Sequence, residues 1–402
     1  MLSRISPVQV SAYTVTSAVG IGKAALLQAM GNLRSGLTPN DFSHAPLATW
    51  IGRVPQIESS PLPPSLAHWE CRNHRLAWLG LTADGFFEAA LAARQRHGAA
   101  RVAVVLGTST SSIGATEDAY RQLDDAGQFP EHLRSPRVNT PHSLGMFVQE
   151  ALQLEGPCVT VSTACSSSAK VFAQAERMMR LGLVDAVVVG GVDSLCGSVL
   201  FGFNALSLVA PQACRPFDAQ RDGISIGEAA GFALLERGAR GLQLLGYGES
   251  SDAHHMSAPH PQGRGAEKAL DDALLRAGLQ ASDIDYINLH GTASAKNDEV
   301  EAALVARRFG PHTHASSTKG LTGHALGAAG ALEAAVSLLA IESGVMPGTA
   351  NTTELHPLCG PQIRLRSARG KVRTALSNSF GFGGNNCVLV FGHAAGANGV
   401  AH

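Results

Sequence analysis

The chain is poor in aromatic and charged residues: Phe, Trp and Tyr make up 5% of its 402 residues and Asp, Glu, Lys and Arg only 16%. Its 31 basic and 32 acidic side chains leave a formal net charge of -1, which argues against a nucleic-acid binder working through overall charge. Any charged partner must find a local patch. The seven cysteines, Cys71, Cys158, Cys165, Cys196, Cys214, Cys359 and Cys387, are odd in number and form no CxxC or CxxH pair. Neither disulfides nor a zinc site are expected, and a cytoplasmic chain fits best. No run of about 18 uninterrupted apolar residues occurs, and the start "MLSRISPVQVSAYTV" lacks the apolar core of a signal peptide, so a soluble chain without membrane insertion is expected. Low-complexity linkers are also lacking, and only the tail "AAGANGVAH" reads as frayed.

What the chain does have is a 45% hydrophobic content and 44 glycines, the composition of closely packed helices and strands joined by sharp turns. Apolar β-branched runs such as "ARVAVVLGTS", "VDAVVVGGVDS" and "IDYINLHGT" read as strands ending in Gly or Thr. Between them lie helical patterns such as "AEKALDDALLRAG", where Leu270, Ala273, Leu274 and Ala277 share a face and Gly278 ends the helix. This alternation predicts an α/β fold of layered sheets. The series also runs twice: "CVTVSTACSSSAKVFAQA" and "ISIGEAAGFALLE" in the first half find counterparts in "THASSTKGLTGHALGAAGALEAAVSLLA" and "KVRTALSNSFGFGGNNCVLVF" in the second. The join falls at "ERGARG", giving expected halves of 1–240 and 241–396.

Within "VSTACSSSAK" Cys165 stands between an apolar strand and a helix, where free N–H groups and the helix dipole favour an anion. Such a position lowers a thiol from about 8.5 to roughly 3.5–7.5, so a thiolate is expected there. Most cysteines simply pack, and the other six are expected to do so. Three further stretches carry chemistry: "LHGTASAKND" with His290, "SSTKGLTGHALGAAG" with Lys319 and His324, and the glycine loop "NSFGFGGNN" around Phe380 and Phe382. Alone, each is as compatible with a satisfied histidine, a solvated lysine or an ordinary turn. Together they sit at strand ends, where a duplicated sheet would gather its loops.

Taken in order, "STACSSS", "RPFDAQRDGISIGEAAG", "HGTAS", "STKGLTGHALGAAGALE" and "NSFGFGGNN" resemble the β-ketoacyl-ACP synthases, over nearly the whole chain. The elongating, Cys-His-His type is the nearest: the initiating type has asparagine in the place of His324, and thiolases have a second cysteine in the final loop. The resemblance implies the thiolase fold, with two βαβαβαββ halves in five α-β-α-β-α layers, and no metal or redox cofactor. It implies that Cys165 takes an acyl group from acyl carrier protein. His290 and His324, both neutral, then hold the enolate left when malonyl-carrier loses carbon dioxide. Backbone N–H groups of Cys165 and Phe382 hold the tetrahedral oxyanion, Lys319 and Glu333 form a supporting buried ion pair, and Thr292, Ser294 and Phe380 complete the site. Phe382 is further expected to swing as a gate between Gly381 and Gly383–Gly384.

The same resemblance implies an acidic carrier protein as partner, docking on Arg72 and Arg75 or on Arg134 and Arg137, and a homodimer or a heterodimer with a ketosynthase-like subunit. Two departures, "SAYTVTSAVG" at the N-terminus and the hydroxyl-rich "GTSTSSIGATEDAY", alter a wall that lines the acyl pocket in the family. That pattern is somewhat similar to ketosynthases of aryl-polyene and related specialised pathways. Two other readings stay open: a non-catalytic partner subunit that sets chain length, which the retained Cys165 opposes, and an acyl-thioester hydrolase, for which one histidine would suffice.

Overall fold

The computed structural model describes residues 4–393; the frayed-tail expectation for 394–402 lies outside them. The first half contributes strands β1 (Val8–Ser17), β2 (Val102–Gly107), β3 (Cys158–Val161), β4 (Ala186–Asp193) and β5 (Ala229–Glu236). The second contributes β6 (Leu242–Ser251), β7 (Tyr286–Asn288), β8 (His314–Ser316), β9 (Thr374–Gly381) and β10 (Asn385–His393). The strand order is β3-β2-β4-β5-β1 in one half and β8-β7-β9-β10-β6 in the other. Counted from the start of each half, both orders are the same. Parallel and antiparallel neighbours match as well, with β2 parallel to β3 and β4 as β7 is to β8 and β9. A short contact between β1 and β6, at Val8–Leu244 and Gln9–Gln243, joins the halves into one sheet path.

Alternation along the strands sorts side chains to two faces. On β2, Val102, Val104 and Leu106 enter one apolar cluster, while Ala103 and Val105 enter another. The outer cluster of the first half is covered by helices α1 (Arg72–Leu81), α2 (Phe86–His97) and α3 (Ser143–Ala151). The inner cluster holds α4 (Ser167–Arg180), and the outer cluster of the second half is covered by α5 (Arg264–Ala277) and α6 (Ala295–Arg308). Helix α7 (Ala329–Ser343) lies beside α4 in the inner cluster. The result is helix, sheet, helix, sheet, helix, the five layers expected, and Gly278 ends α5 in the left-handed conformation as anticipated.

Helix α4 keeps a polar face at Lys170, Gln174 and Arg177, whereas α7 is buried around nearly its whole circumference. The stretch Leu326–Ser343 has the length and apolarity of a membrane span, yet 89% of it is buried inside the protein. Its close approach to α4 depends on Gly330, where a Cβ would lie 2.5 Å from the Ala169 nitrogen. This packing sets the start of α4 and the loop before α7 against each other. The loops that follow β3, β7, β8 and β9 therefore meet at one end of the layers.

Candidate active site

Between β3 and α4 the chain makes an elbow. Ala164 adopts a left-handed φ of 53°, a conformation costing on the order of 1 kcal/mol for a residue with a Cβ. The neighbouring hydroxyls hold it there: Thr163 N–H donates to Ser167 Oγ (2.9 Å), Ser166 Oγ–H to the Thr163 carbonyl (2.9 Å) and Ser167 Oγ–H to the Ala164 carbonyl (2.6 Å). Flanking Cys165 with small hydroxylated residues thus pins the turn that projects its side chain. The thiolate expectation changes here. Cys165 is only 5% exposed, and burial pushes its thiol up to about 11, against the lowering pull of the Lys319 charge and the Phe382 N–H. The resting group is a thiol, because loops of the second half close over a position that the sequence alone leaves open.

Opposite the elbow, His324 Nε2 lies 3.1 Å from Cys165 Sγ. The His290 ring stands edge-on to that of His324, with centroids 5.4 Å apart. Burial, followed by the Lys319 charge, holds both imidazoles well below the ordinary histidine range, so both are neutral at pH 7. Lys319 Nζ donates to the His290 carbonyl (2.6 Å) and lies 3.4 Å from His290 Nδ1. An ammonium can only donate, so Nδ1 presents its lone pair and the ring proton is assigned to Nε2. His324 is placed by its backbone, whose N–H donates to the Ser225 carbonyl (2.8 Å) and whose carbonyl accepts from Gly227 N–H (3.0 Å).

Lys319 pairs with Glu333 of α7, each side chain 2% exposed. Burial raises the Glu333 carboxyl to about 7, against the pull of Lys319. Removing one partner strands the other, so Lys319→Ala should lower stability by about 3–5 kcal/mol while Lys319→Met/Glu333→Leu recovers most of it. Urea unfolding midpoints of the two variants check this; equal losses would show that the pair does not act as a unit.

Two further acids, not apparent from the sequence motifs, build the loop carrying His290. Glu301 of α6 accepts from the N–H groups of His290 (2.8 Å) and Gly291 (2.7 Å) and from Asn378 Nδ2 (2.9 Å). Asp298 accepts from Thr292 N–H (3.0 Å), Ala293 N–H (3.1 Å) and Phe217 N–H (2.7 Å). Their i, i+3 spacing in "KNDEVE", directly after a histidine loop, is the signal that could have found them.

A cavity of about 360 Å³ leads to Cys165, His290 and His324 and is lined also by Thr292, Ser294, Phe380 and Phe382. The Thr292 and Ser294 hydroxyls are hydrogen-bonded at 2.8 Å. Phe382 N–H points at the Cys165 sulfur, and the Phe382 ring stacks on Phe203 at 5.6 Å between centroids. Gly383 and Gly384, both at φ 75°, carry the chain away in a turn that a side chain would strain. The hydroxyl-rich stretch does not line this cavity. Asp193, fully buried, accepts from Thr108 Oγ1 (2.6 Å), Thr110 Oγ1 (2.7 Å) and the N–H groups of Ser109 and Thr110, and from Ala328 N–H (3.1 Å) in the loop after His324. These hydroxyls solvate a buried carboxylate that braces the histidine loop.

The four arginines expected to dock a carrier divide into two kinds. Arg72 turns inward, paired with the buried Glu228 (2.6 Å) and with Glu58, and stacked over Phe42. Arg75 is held by Glu70 and the Glu58 carbonyl. Arg72 is therefore corrected from a docking residue to a fold-stabilising one, since its partner carboxylate would be left buried without it. Arg134 and Arg137 remain exposed.

As for metals, the Cys165, His290 and His324 donor atoms lie within 4.8 Å of one another. Sulfur and imidazole suit zinc, but the Lys319 ammonium beside His290 opposes a second cation there.

Comparison with known proteins agrees with this geometry. Residues 74–240 match the model of the beta-ketoacyl synthase N-terminal domain and residues 243–353 that of the C-terminal domain. Nodulation protein E of Rhizobium meliloti (strain 1021) is 39% identical over 307 residues, covering 73% of this chain and 76% of the relative. The 3-oxoacyl-[acyl-carrier-protein] synthase 2 of the same organism is 42% identical over 317 residues, covering 71% and 73%. Among solved structures, that of the ketosynthase ApeO in complex with its chain length factor ApeC from Xenorhabdus doucetiae superimposes with a TM-score of 0.88 at 35% identity, covering 96% of this chain and 98% of that one. The duplicated five-layered fold, the cysteine elbow and the matched sequence agree: the chain belongs to the beta-ketoacyl synthase family.

Proposed function

We propose that the protein is a 3-oxoacyl-[acyl-carrier-protein] synthase, an acyltransferase that condenses malonyl-carrier with an acyl chain held on Cys165. The observation that carries this is the pair of neutral imidazoles facing one buried sulfur, with Lys319 fixing the tautomer of the first. In loading, Cys165 sulfur attacks the thioester carbonyl, and the carrier thiol leaves with the proton that Cys165 gives up, relayed by His324 Nε2 at 3.1 Å. Malonyl-carrier then loses carbon dioxide, and its bonding electrons become an enolate whose oxygen accepts from Nε2–H of His290 and of His324, the latter in the tautomer opposite to the one that takes the Cys165 proton in loading. His324 Nδ1, without a partner among the described residues, leaves both tautomers open. The enolate carbon attacks the acyl-Cys165 carbonyl, and the N–H groups of Cys165 and Phe382 hold the oxyanion. Collapse of that intermediate expels Cys165 as a thiolate, which takes a proton from solvent to return to the thiol, and releases the 3-oxoacyl-carrier.

The chain works with acyl carrier protein and as a dimer with a second copy or a ketosynthase-like subunit, as the ApeO–ApeC complex supports. All seven cysteines are free, which favours the cytoplasm. The likeness to a ketosynthase paired with a chain length factor favours a specialised acyl substrate. Incubation of the purified protein with acyl-carrier and malonyl-carrier tests the reading: carbon dioxide release and 3-oxoacyl product support it. Hydrolysis without condensation would indicate a thioesterase, and no turnover at all a non-catalytic subunit.

Carrier docking falls to Arg134 and Arg137. Charge reversal of both should raise KM for acyl-carrier several-fold, with the gap from wild type shrinking as salt is added, and leave turnover of a small acyl thioester unchanged. Equal loss with carrier and small thioester would point to damage of the pocket instead.

A further inference from the structure

The cavity that ends at Cys165 is lined by charged side chains from several segments, and all but one of them are already engaged. Arg221 donates to the Asp218 and Ala295 carbonyls and to Glu299 (3.2 Å), with Asp298 nearby at 3.9 Å. Asp222 faces Arg215 at 3.7 Å, and Asp252 accepts from His260 N–H (2.8 Å) and Asn386 Nδ2 (2.9 Å). Lys296 lines the same cavity and is exposed, whereas Cys165, His290 and His324 at its floor are buried. Among the described residues no carboxylate pairs with it. Lys296 is therefore the lining cation left without a carboxylate partner, while Asp252 is a lining carboxylate held by N–H donors and no cation.

Position decides which anion this charge meets. Under the condensing-enzyme reading, on which this inference rests, the malonyl carboxylate must reach the buried floor, where it is lost as carbon dioxide. The only other anion on the arm of a carrier thioester is the phosphodiester that attaches the arm to the carrier, and it stays at the entrance. We propose that Lys296 recognises that phosphate and so holds the thioester arm in register with Cys165. A lysine suits this role because its flexible stem carries a point charge that can follow a phosphate at an open lip without requiring one fixed geometry.

Two acyl thioesters that differ only in the phosphate, one on 4′-phosphopantetheine and one on pantetheine, isolate the contact from any docking of the carrier surface. With the phosphorylated donor, Lys296→Ala should raise KM for loading about three- to tenfold with kcat unchanged, the size of an exposed charge-assisted contact. Pantetheine thioester should be used equally by both forms, Lys296→Arg should restore most of the loss, and the difference should fade at high salt. Equal loss with both donors, or no loss with either, overturns the proposal. A loss seen only with malonyl donors, irrespective of the phosphate, would assign Lys296 to the carboxylate and overturn it as well. If the wild-type protein loads neither donor on Cys165 and also fails with acyl-carrier, the condensing-enzyme reading itself falls, a result distinct from the others.

Discussion

Cys165→Ala should abolish acyl loading and condensation, reducing both to background. Of the free cysteines, Cys165 alone faces the two imidazoles from an elbow, while Cys71, Cys196, Cys214 and Cys387 are packed in the interior. Intact-mass analysis after incubation with acyl-carrier should show one added acyl group on wild type and none on the variant. A variant that still acylated at the wild-type rate would remove Cys165 from the reaction. The resting thiol adds a pH signature. Because burial raises it to about 11, the thiolate fraction is small at neutral pH and grows as pH rises toward that value. Alkylation of Cys165 by a small neutral haloacetamide should therefore keep accelerating above about pH 9, the opposite of the plateau near neutrality that an acidified thiol gives. Loading from a bound thioester needs no resident thiolate, since His324 can take the proton as the sulfur attacks.

His290→Ala and His324→Ala should each lower malonyl decarboxylation by about 10²–10³, the effect of deleting one donor to a developing oxyanion. His290→Ala should load acyl groups at nearly the wild-type rate, because the hydrogen bond to the sulfur comes from His324 and not from His290. Slower loading is expected for His324→Ala, which loses the proton relay. Radiolabelled carbon dioxide release and acyl-enzyme formation, measured side by side, separate the two roles. Normal carbon dioxide release from either variant would exclude that histidine as an enolate donor. The buried ion pair gives a second handle: Lys319→Met should affect decarboxylation more than loading, since it frees the His290 tautomer that the ammonium fixes.

Much of the fold and the site is legible in the order of residues alone. Alternating apolar runs identify the strands because the pleat sorts residues to two faces, and the repetition of strand, elbow and helix exposes the duplication. Cys165, His290, Lys319 and His324 stand out because nucleophilic and titratable residues cluster at strand ends. What stays hidden depends on distant partners. Arg72 reads as a surface cation until Glu228, 156 residues away, proves to be its partner. The Cys165 thiol reads as acidic from its place before a helix, but the loops that bury it come from the other half of the chain. The hydroxyls from Thr108 to Ser112 read as a polar wall, and only the fold shows Asp193 among them. Local pattern fixes elements; charge and ionisation are settled by what packs on top.

The matching strand orders of the two halves bear on how the site came to be asymmetric. Counted within each half, Cys165 follows the third strand of the first, and Lys319 and His324 follow the third strand of the second. His290 follows the second strand of its half, as Thr108 does in the other. Phe382 lies between the fourth and fifth strands, and Phe203, in the corresponding connection of the first half, stacks against it. Cys165 and His324 thus stand in equivalent loops of the two repeats, whereas His290 answers to Thr108. Under the proposed condensation, one copy of the unit would keep the acyl group and the other would activate the nucleophile that attacks it. On that reading the division of labour between two substrates is a division between two repeats.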